Sequence, residues 1–300
     1  MNLKILGNNS ALPAYDRYPT CQIADIGGIS IMIDCGEGAQ ILLRKHNVSW
    51  HRIRYIFISH LHGDHYFGLP GFLNSMSLLG RTVPLTLFAP AELKPIWEAI
   101  LDVAFTKLSY ELTFVPLPAG RSVLLDTPAI RLESFPVEHR IFCCGLKVTE
   151  KSKGRKVLPE RCRHYEIPAA YYKQLKSGAD YETKSGAIIR NEWVTTEGKP
   201  DKVYAYCADT IYTESFLDAV THVDLLYHES TYLNADAERA AARFHATAAQ
   251  AAEFAKKAGV KKLLLGHYSS KYRYVDDFQE EARAVFSESY ATSEGDEFVI

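Results

Sequence analysis

Several protein classes are excluded by what this chain lacks. No apolar run approaches the roughly 18 residues that a membrane span requires. No signal peptide is expected, because Met1-Asn2-Leu3-Lys4 leads straight into strand-like sequence. No Cys-x-x-Cys pair occurs among Cys21, Cys35, Cys143, Cys144, Cys162 and Cys207, which argues against a cysteine zinc site. A chain of this length needs no disulfide framework, so these six read as reduced, mostly buried thiols of a cytoplasmic protein. Strong net charge is also missing. At −2 over 300 residues the molecule as a whole is no polyanion binder, and any nucleic-acid affinity must come from a local patch. Repeats and low-complexity segments are not evident.

What the chain does have is Ser59-His60-Leu61-His62-Gly63-Asp64-His65, directly after the apolar run Tyr55-Ile56-Phe57-Ile58. His60 and His62 are two apart, so on extended backbone both point to one side. Asp64 and His65 follow a glycine, where the chain turns sharply enough to aim a second pair nearby. Four ligands so close do not all reach one ion comfortably, and the spacing suits two neighbouring divalent metals. Burying such groups with no metal would leave costly unpaired polar atoms.

The apolar patterning organises the rest. Strands are expected at 3–6, 22–25, 29–33, 54–58, 85–88, 112–116, 123–125 and 130–137, then at 203–207, 224–227 and 263–265. Helices are expected at 39–45, 94–104 and 246–258, with one in 66–79 starting after Pro70-Gly71. Hairpin-linked early strands mixed with helices point to an α+β class, two packed sheets with helices outside, and not to a doubly wound parallel sheet.

His139, Asp209 and His267 each stand just past a predicted strand end. Residues at the ends of strands on one sheet edge converge although distant in sequence. Imidazole nitrogen and carboxylate oxygen are ligands that Zn(II) accepts. The reading is that His60, His62 and His139 hold one metal, Asp64, His65 and His267 hold a second, and Asp209 bridges both. Ions roughly 3.5–4 Å apart would share a water and lower its pKa toward neutrality. Manganese tolerates the same donor set. A lone histidine at a strand end is ordinarily a polar cap; the cluster is what makes these three partners. His46, His51, His164 and His222 read as surface or loop residues.

Lys151 to Lys176 differs from its surroundings, with eight basic residues against Glu160 and Glu166. It reads as an arm projecting from an otherwise single domain spanning residues 1–300.

His-x-His-x-Asp-His is the signature of the metallo-β-lactamase superfamily, which this chain resembles. The run from Ser59 to Leu73 resembles the ribonuclease Z family (tRNA 3′-processing endonucleases) nearly position for position. So do Asp34-Cys35-Gly36-Glu37-Gly38, Val137-Glu138-His139-Arg140, Ala208-Asp209-Thr210, His228-Glu229-Ser230-Thr231 and Phe244-His245-Ala246-Thr247-Ala248. The resemblance implies an αβ/βα four-layer sandwich of two mixed sheets with outer helices, two zinc ions per subunit, and a homodimer in which one subunit's arm clamps tRNA for the other's site. It implies endonucleolytic removal of the 3′ trailer from precursor tRNA by two-metal phosphodiester hydrolysis. Asp64 then doubles as proton acceptor, and His245 matches the donor to the leaving 3′-oxygen, with Glu229 orienting its ring. The basic stretch falls where the family carries its tRNA-binding arm, so Arg155, Lys156, Arg161, Arg163, Lys173 and Lys176 are expected to meet phosphate, as is Lys271.

Two departures touch substrate handling. The family arm has Gly-Pro after Ile-Pro, whereas Ile167-Pro168 is followed here by Ala169-Ala170. Lys271 stands in Ser270-Lys271-Tyr272 where the family has arginine, which loses the bidentate fork. The competing reading is a superfamily phosphodiesterase acting on small diesters, with weak or no tRNA processing. A non-catalytic RNA-binding relative would require lost ligands, and none of the seven is lost.

Overall fold

A computed structural model describes residues 1–300. Two seven-stranded sheets carry the fold. Across the first, the strands run in the order Glu297–Val299, Asn2–Gly7, Cys21–Ile26, Ile29–Ile33, Ile53–Phe57, Leu85–Ala89 and Leu112–Pro116. Across the second they run Ser289–Ala291, Leu263–Gly266, Leu225–Glu229, Lys202–Cys207, Cys144–Glu150, Ile130–Pro136 and Ser122–Asp126. Both are mixed. Hairpins pair antiparallel and helical crossovers give parallel neighbours, as at Ile29–Ile33 beside Ile53–Phe57 and Lys202–Cys207 beside Leu225–Glu229.

The period of two along each strand divides side chains between layers. Ile31 and Ile33 enter the core between the sheets with Leu3, Leu146 and Tyr204, while Met32 faces outward under the helices Ala39–Lys45 and Leu69–Leu78. Helices Ala248–Ala258 and Asp276–Arg283 pack on the second sheet. The result is the four-layer α+β sandwich with outer helices.

Helix Leu69–Leu78 begins before Pro70 and not after it. Proline is tolerated there because a first-turn N–H has no helical partner to lose. The strand Cys144–Glu150 escaped sequence reading because it follows Ile130–Pro136 across the short loop that carries His139. Residues 246–258 become helical only at Ala248, where Thr247 and Gln250 close a capping box. All six cysteines are free and buried. No helix is long and apolar enough to cross a membrane.

The basic stretch is the first part of a small unit inserted between Glu150 and Lys202. It has its own core of Val157, Cys162, Ile167, Leu175, Ile189 and Val194, separate from both main clusters. Its ends meet where Glu150 and Lys202 are register partners, and Ser152 N–H donates to Asp201 at 2.7 Å. At this neck the backbone is so close that a Cβ on Gly198 would stand 1.9 Å from the Gly154 carbonyl oxygen. The unit therefore hangs from what is otherwise a hairpin closure. Replacing residues 151–201 by an Asn-Gly turn is expected to leave a cooperatively melting two-sheet core, with a Tm within roughly 5 °C of the full chain by circular dichroism. A non-cooperative melt would show that the core depends on the arm.

Candidate metal centre

Strand Ile53–Phe57 runs out into Ser59 and His60, both fully buried. The glycine turn at Gly63 starts a single helical turn that brings Asp64 and His65 back toward His60. This loop is locked against the Asp34–Gly38 loop: Cys35 N–H donates to the His65 carbonyl at 2.8 Å and Gly68 N–H to the Cys35 carbonyl at 2.9 Å. The approach tolerates no side chain, since a Cβ on Gly68 would lie 2.2 Å from the Gly36 carbonyl oxygen. His139, Asp209 and His267 arrive from the ends of three strands of the second sheet.

The ligand atoms of His60, His62, His139 and Asp209 lie within 4.8 Å of one another, as do those of Asp64, His65 and His267. The carboxylate of Asp209 stands between the two groups. Its Oδ2 is 3.6 Å from His60 Nε2 and 3.9 Å from His139 Nε2, and its Oδ1 is 3.4 Å from His65 Nε2 and 3.2 Å from His267 Nε2. His245 shares a third overlapping group with Asp209 and His267.

Three observations show that these residues suit a cation. The inward nitrogens face each other closely: His62 Nδ1 is 3.1 Å from both His60 Nε2 and His139 Nε2, and His65 Nε2 is 3.3 Å from His267 Nε2. Lone pairs aimed at one another repel unless a positive charge lies among them. Asp209 Oδ1 is buried and receives no hydrogen bond. Finally, burial holds His60, His62 and His139 in the neutral form that ligates, the latter two lowered to about 4. His65 moves the other way: burial opposes its charge, but Asp209, Asp64 and Asp34 outweigh burial and raise it well above the usual value. The pocket thus demands positive charge at its centre. Divalent metal binding follows from this donor set.

Four of the five candidate ligand imidazoles, all but His62, are held from behind. His60 Nδ1 donates to Ser59 Oγ at 3.0 Å, His139 Nδ1 to the Phe244 carbonyl at 2.9 Å, and His267 Nδ1 to Thr231 Oγ1 at 2.8 Å. His65 Nδ1 donates to Asp34 at 2.7 Å. Asp34 also accepts from Ser59 N–H, Ser59 Oγ–H and the Tyr206 hydroxyl at 2.8, 3.0 and 2.6 Å. Two of these supports and one ligand sit on left-handed backbone, with φ of 55° at Asp34, 58° at Phe244 and 63° at His267.

Glu229 is buried and accepts from three residues, one of them Thr210, whose N–H donates to Oε1 at 3.1 Å. Its Oε1 accepts from His245 Nδ1 at 2.8 Å, and its Oε2 from the Thr231 hydroxyl at 2.7 Å. Burial disfavours the His245 cation, yet the Glu229 charge and hydrogen bond overcome that and raise its pKa to about 9. Asp64 accepts from Ala11 N–H at 2.7 Å. Burial opposes its charge, but His65 and His267 hold its carboxyl below the usual range.

The structure brings together His60, His62, Asp64, His65, His139, Asp209, Glu229, His245 and His267. The cations expected to meet phosphate lie elsewhere. Arg155, Lys156, Arg161, Arg163, Lys173 and Lys176 belong to the inserted unit, and Arg155 and Arg161 are hydrogen-bonded within it to Thr195 and the Trp193 carbonyl. Lys271 is paired with Asp236 at 2.6 Å. Sequence reading assigned no role to Asp34, Ser59, Tyr206 or Thr231. Asp34, Ser59 and Thr231 fall within the quoted motifs, and Asp34 also ends the apolar strand Ile29–Ile33, but their supporting contacts are set by the tertiary structure.

Asp34→Ala is expected to weaken zinc binding by about 10–100-fold, measured by competition with a chromophoric chelator, with Tyr206→Phe falling between it and wild type. Unchanged affinity in Asp34→Ala would mean that its bond to His65 is only structural.

Residues 1–150 match the family model described as Anti-Pycsar protein Apyc1. Over 295 residues the chain is 40% identical to the ribonuclease Z of Parabacteroides distasonis, covering 98% of this chain and 97% of that one. It is also 40% identical, over 294 residues and with the same coverage, to the ribonuclease Z of Porphyromonas gingivalis. Among solved structures, the short form of human tRNase Z superposes with a TM-score of 0.73 at 24% identity, covering 100% of this chain and 99% of that one. The metallo-β-lactamase fold protein YhfI from Bacillus subtilis gives 0.69 at 18% identity, covering 99% and 98%. At those identities the two structures speak for the fold.

Proposed function

The chain belongs to the ribonuclease Z family, and from that premise we propose that it is a zinc-dependent endoribonuclease that removes the 3′ trailer from precursor tRNA. The observation that carries the reading is the placement of the Glu229–His245 pair against two ligand groups that share Asp209. In this reading His60, His62, His139 and Asp209 would hold one ion, and Asp64, His65 and His267, with Asp209 shared, would hold a second. When bound, the pair of ions would bring a water's pKa toward neutrality and offset charge on the phosphoryl oxygens.

The chain's own residues do the rest. Asp64, kept ionised, accepts a proton from the attacking water. His245 is protonated at neutral pH, because a pKa near 9 keeps the cation populated up to about that pH. Glu229 occupies its Nδ1, which leaves Nε2 to donate to the departing 3′-oxygen. The inserted unit supplies basic side chains for the tRNA backbone, recognised through shape and phosphate since A-form grooves hide the base edges. The enzyme is read as a cytoplasmic homodimer.

One observation favours a second reading, a phosphodiesterase acting on small diesters. The half of the chain that carries five of the seven candidate ligands matches another family's model, and the arm lies outside that match.

Purified, zinc-loaded protein is expected to cleave a labelled precursor tRNA at the base of the acceptor stem, with no product from His65→Ala. His245→Ala is expected to lower kcat by about 10²–10⁴-fold at nearly unchanged KM. Hydrolysis of an aryl phosphodiester without cleavage of precursor tRNA would sink the tRNA assignment and favour the second reading.

A further inference from the structure

The short helix Ala237–Ala242 ends in a turn closed by two main-chain hydrogen bonds. Phe244 N–H donates to the Ala241 carbonyl at 3.1 Å, and His245 N–H to the Ala240 carbonyl at 2.9 Å. This is a Schellman ending, in which the residue past the cap takes left-handed backbone and is ordinarily glycine. Here that residue is Phe244, with a φ of 58°. A Cβ in that conformation crowds its own backbone, so a large side chain is kept against a cost that glycine would avoid. The turn gives no reason for the ring. His139 Nδ1 donates to the Phe244 carbonyl, which any residue would supply. Packing gives no reason either, because Phe244 is 39% exposed and joins none of the three hydrophobic cores. Strain kept beside a reacting centre points to a task for the side chain.

Phe244 stands between two members of that centre. Its carbonyl holds His139, and the next residue is His245, whose ring lies 5.3 Å from that of His139. The loop that carries His139 adds Ile141 and Phe142, 40% and 39% exposed, so this side of the centre has apolar groups open to solvent. Arg140 and Arg243, next in sequence to His139 and Phe244, are exposed as well. Rings beside guanidinium groups are the combination that holds unpaired nucleotides, with bases stacked on the rings and phosphates met by the cations.

The position of His245 decides which nucleotide meets the ring. Its Nε2 serves the departing 3′-oxygen, so the nucleotide carrying that oxygen, the last one kept in the product, comes to lie against the adjoining residue. We propose that the base of this nucleotide stacks on the Phe244 ring, which makes Phe244 a specificity-determining residue on the retained side of the cut. The proposal rests on the tRNA-processing reading above. Every base has a π-face, so the contact requires a base there without requiring one particular base.

The test measures kcat/KM of the zinc-loaded full chain on two precursor tRNAs that differ at one position, with adenine or an abasic site at the nucleotide just before the cut. One stacked base contributes about 10-fold, so wild type should prefer the adenine RNA by that factor. Phe244→Gly should cleave both RNAs equally well, while Phe244→Tyr, which keeps a ring, should keep the preference. Glycine suits the left-handed turn and retains the carbonyl for His139, so the Tm of Phe244→Gly should equal or exceed that of wild type. A ring with only a structural role would slow both RNAs alike and leave their ratio unchanged. That result, or a wild type indifferent to the missing base, overturns the proposal and leaves the tRNA reading standing. A wild type that cleaves neither RNA but still hydrolyses an aryl phosphodiester overturns both together.

Discussion

The arrangement turns on a carboxylate, Asp209, placed in the protein interior with imidazoles on two sides. Its desolvation is costly, and its buried Oδ1 receives no hydrogen bond. The surroundings are built to hold that cost. The sheets meet so that loops from both deliver histidines to one seam, and the rings of His60, His65, His139 and His267 are fixed from behind by a hydroxyl, a carbonyl or a carboxylate. Relaxing any of these supports would let the rings turn away and leave the acid alone.

Thr231 shows how closely the parts are coupled. Its hydroxyl donates to Glu229 and accepts from His267. The carboxylate that sets the state of His245 is therefore two hydrogen bonds from a candidate metal ligand. Tautomer, ring orientation and protonation are settled together by a contiguous network buried under the second sheet. The capping box at Thr247 contributes from outside by fixing where helix Ala248–Ala258 begins, and hence where Phe244 and His245 end up.

Much of this was legible in the chain. His60 to His65 announce themselves by local spacing, and the period of two gave most strands within a residue or two. His139, Asp209 and His267 were readable as strand-end residues because both sheets send their loops to one edge. The supporting roles of Asp34, Ser59, Tyr206 and Thr231 were not readable, although three of the four stand in quoted motifs, because nothing local distinguishes a hydroxyl or acid that supports a ligand from one that ends a strand. The helix start before Pro70 was missed for a similar reason: a proline in the first turn looks the same in sequence as one that stops a helix. The extent of the inserted unit was hidden as well. Its later residues, such as Ile189 and Val194, lack the charge bias that marked the earlier ones, and they belong to it only through its core.

That unit leaves and re-enters the sandwich at two residues already paired across neighbouring strands, Glu150 and Lys202. Loop-closure entropy grows only by about 0.6 kcal/mol for each doubling of length, so the sandwich scarcely registers how long or how elaborate the excursion is. Descendants of this chain can lengthen, trim or repack the excursion with little penalty to the chemistry below. The inserted unit is thus free to drift on one evolutionary clock, while the seam of histidines and carboxylates is held to another.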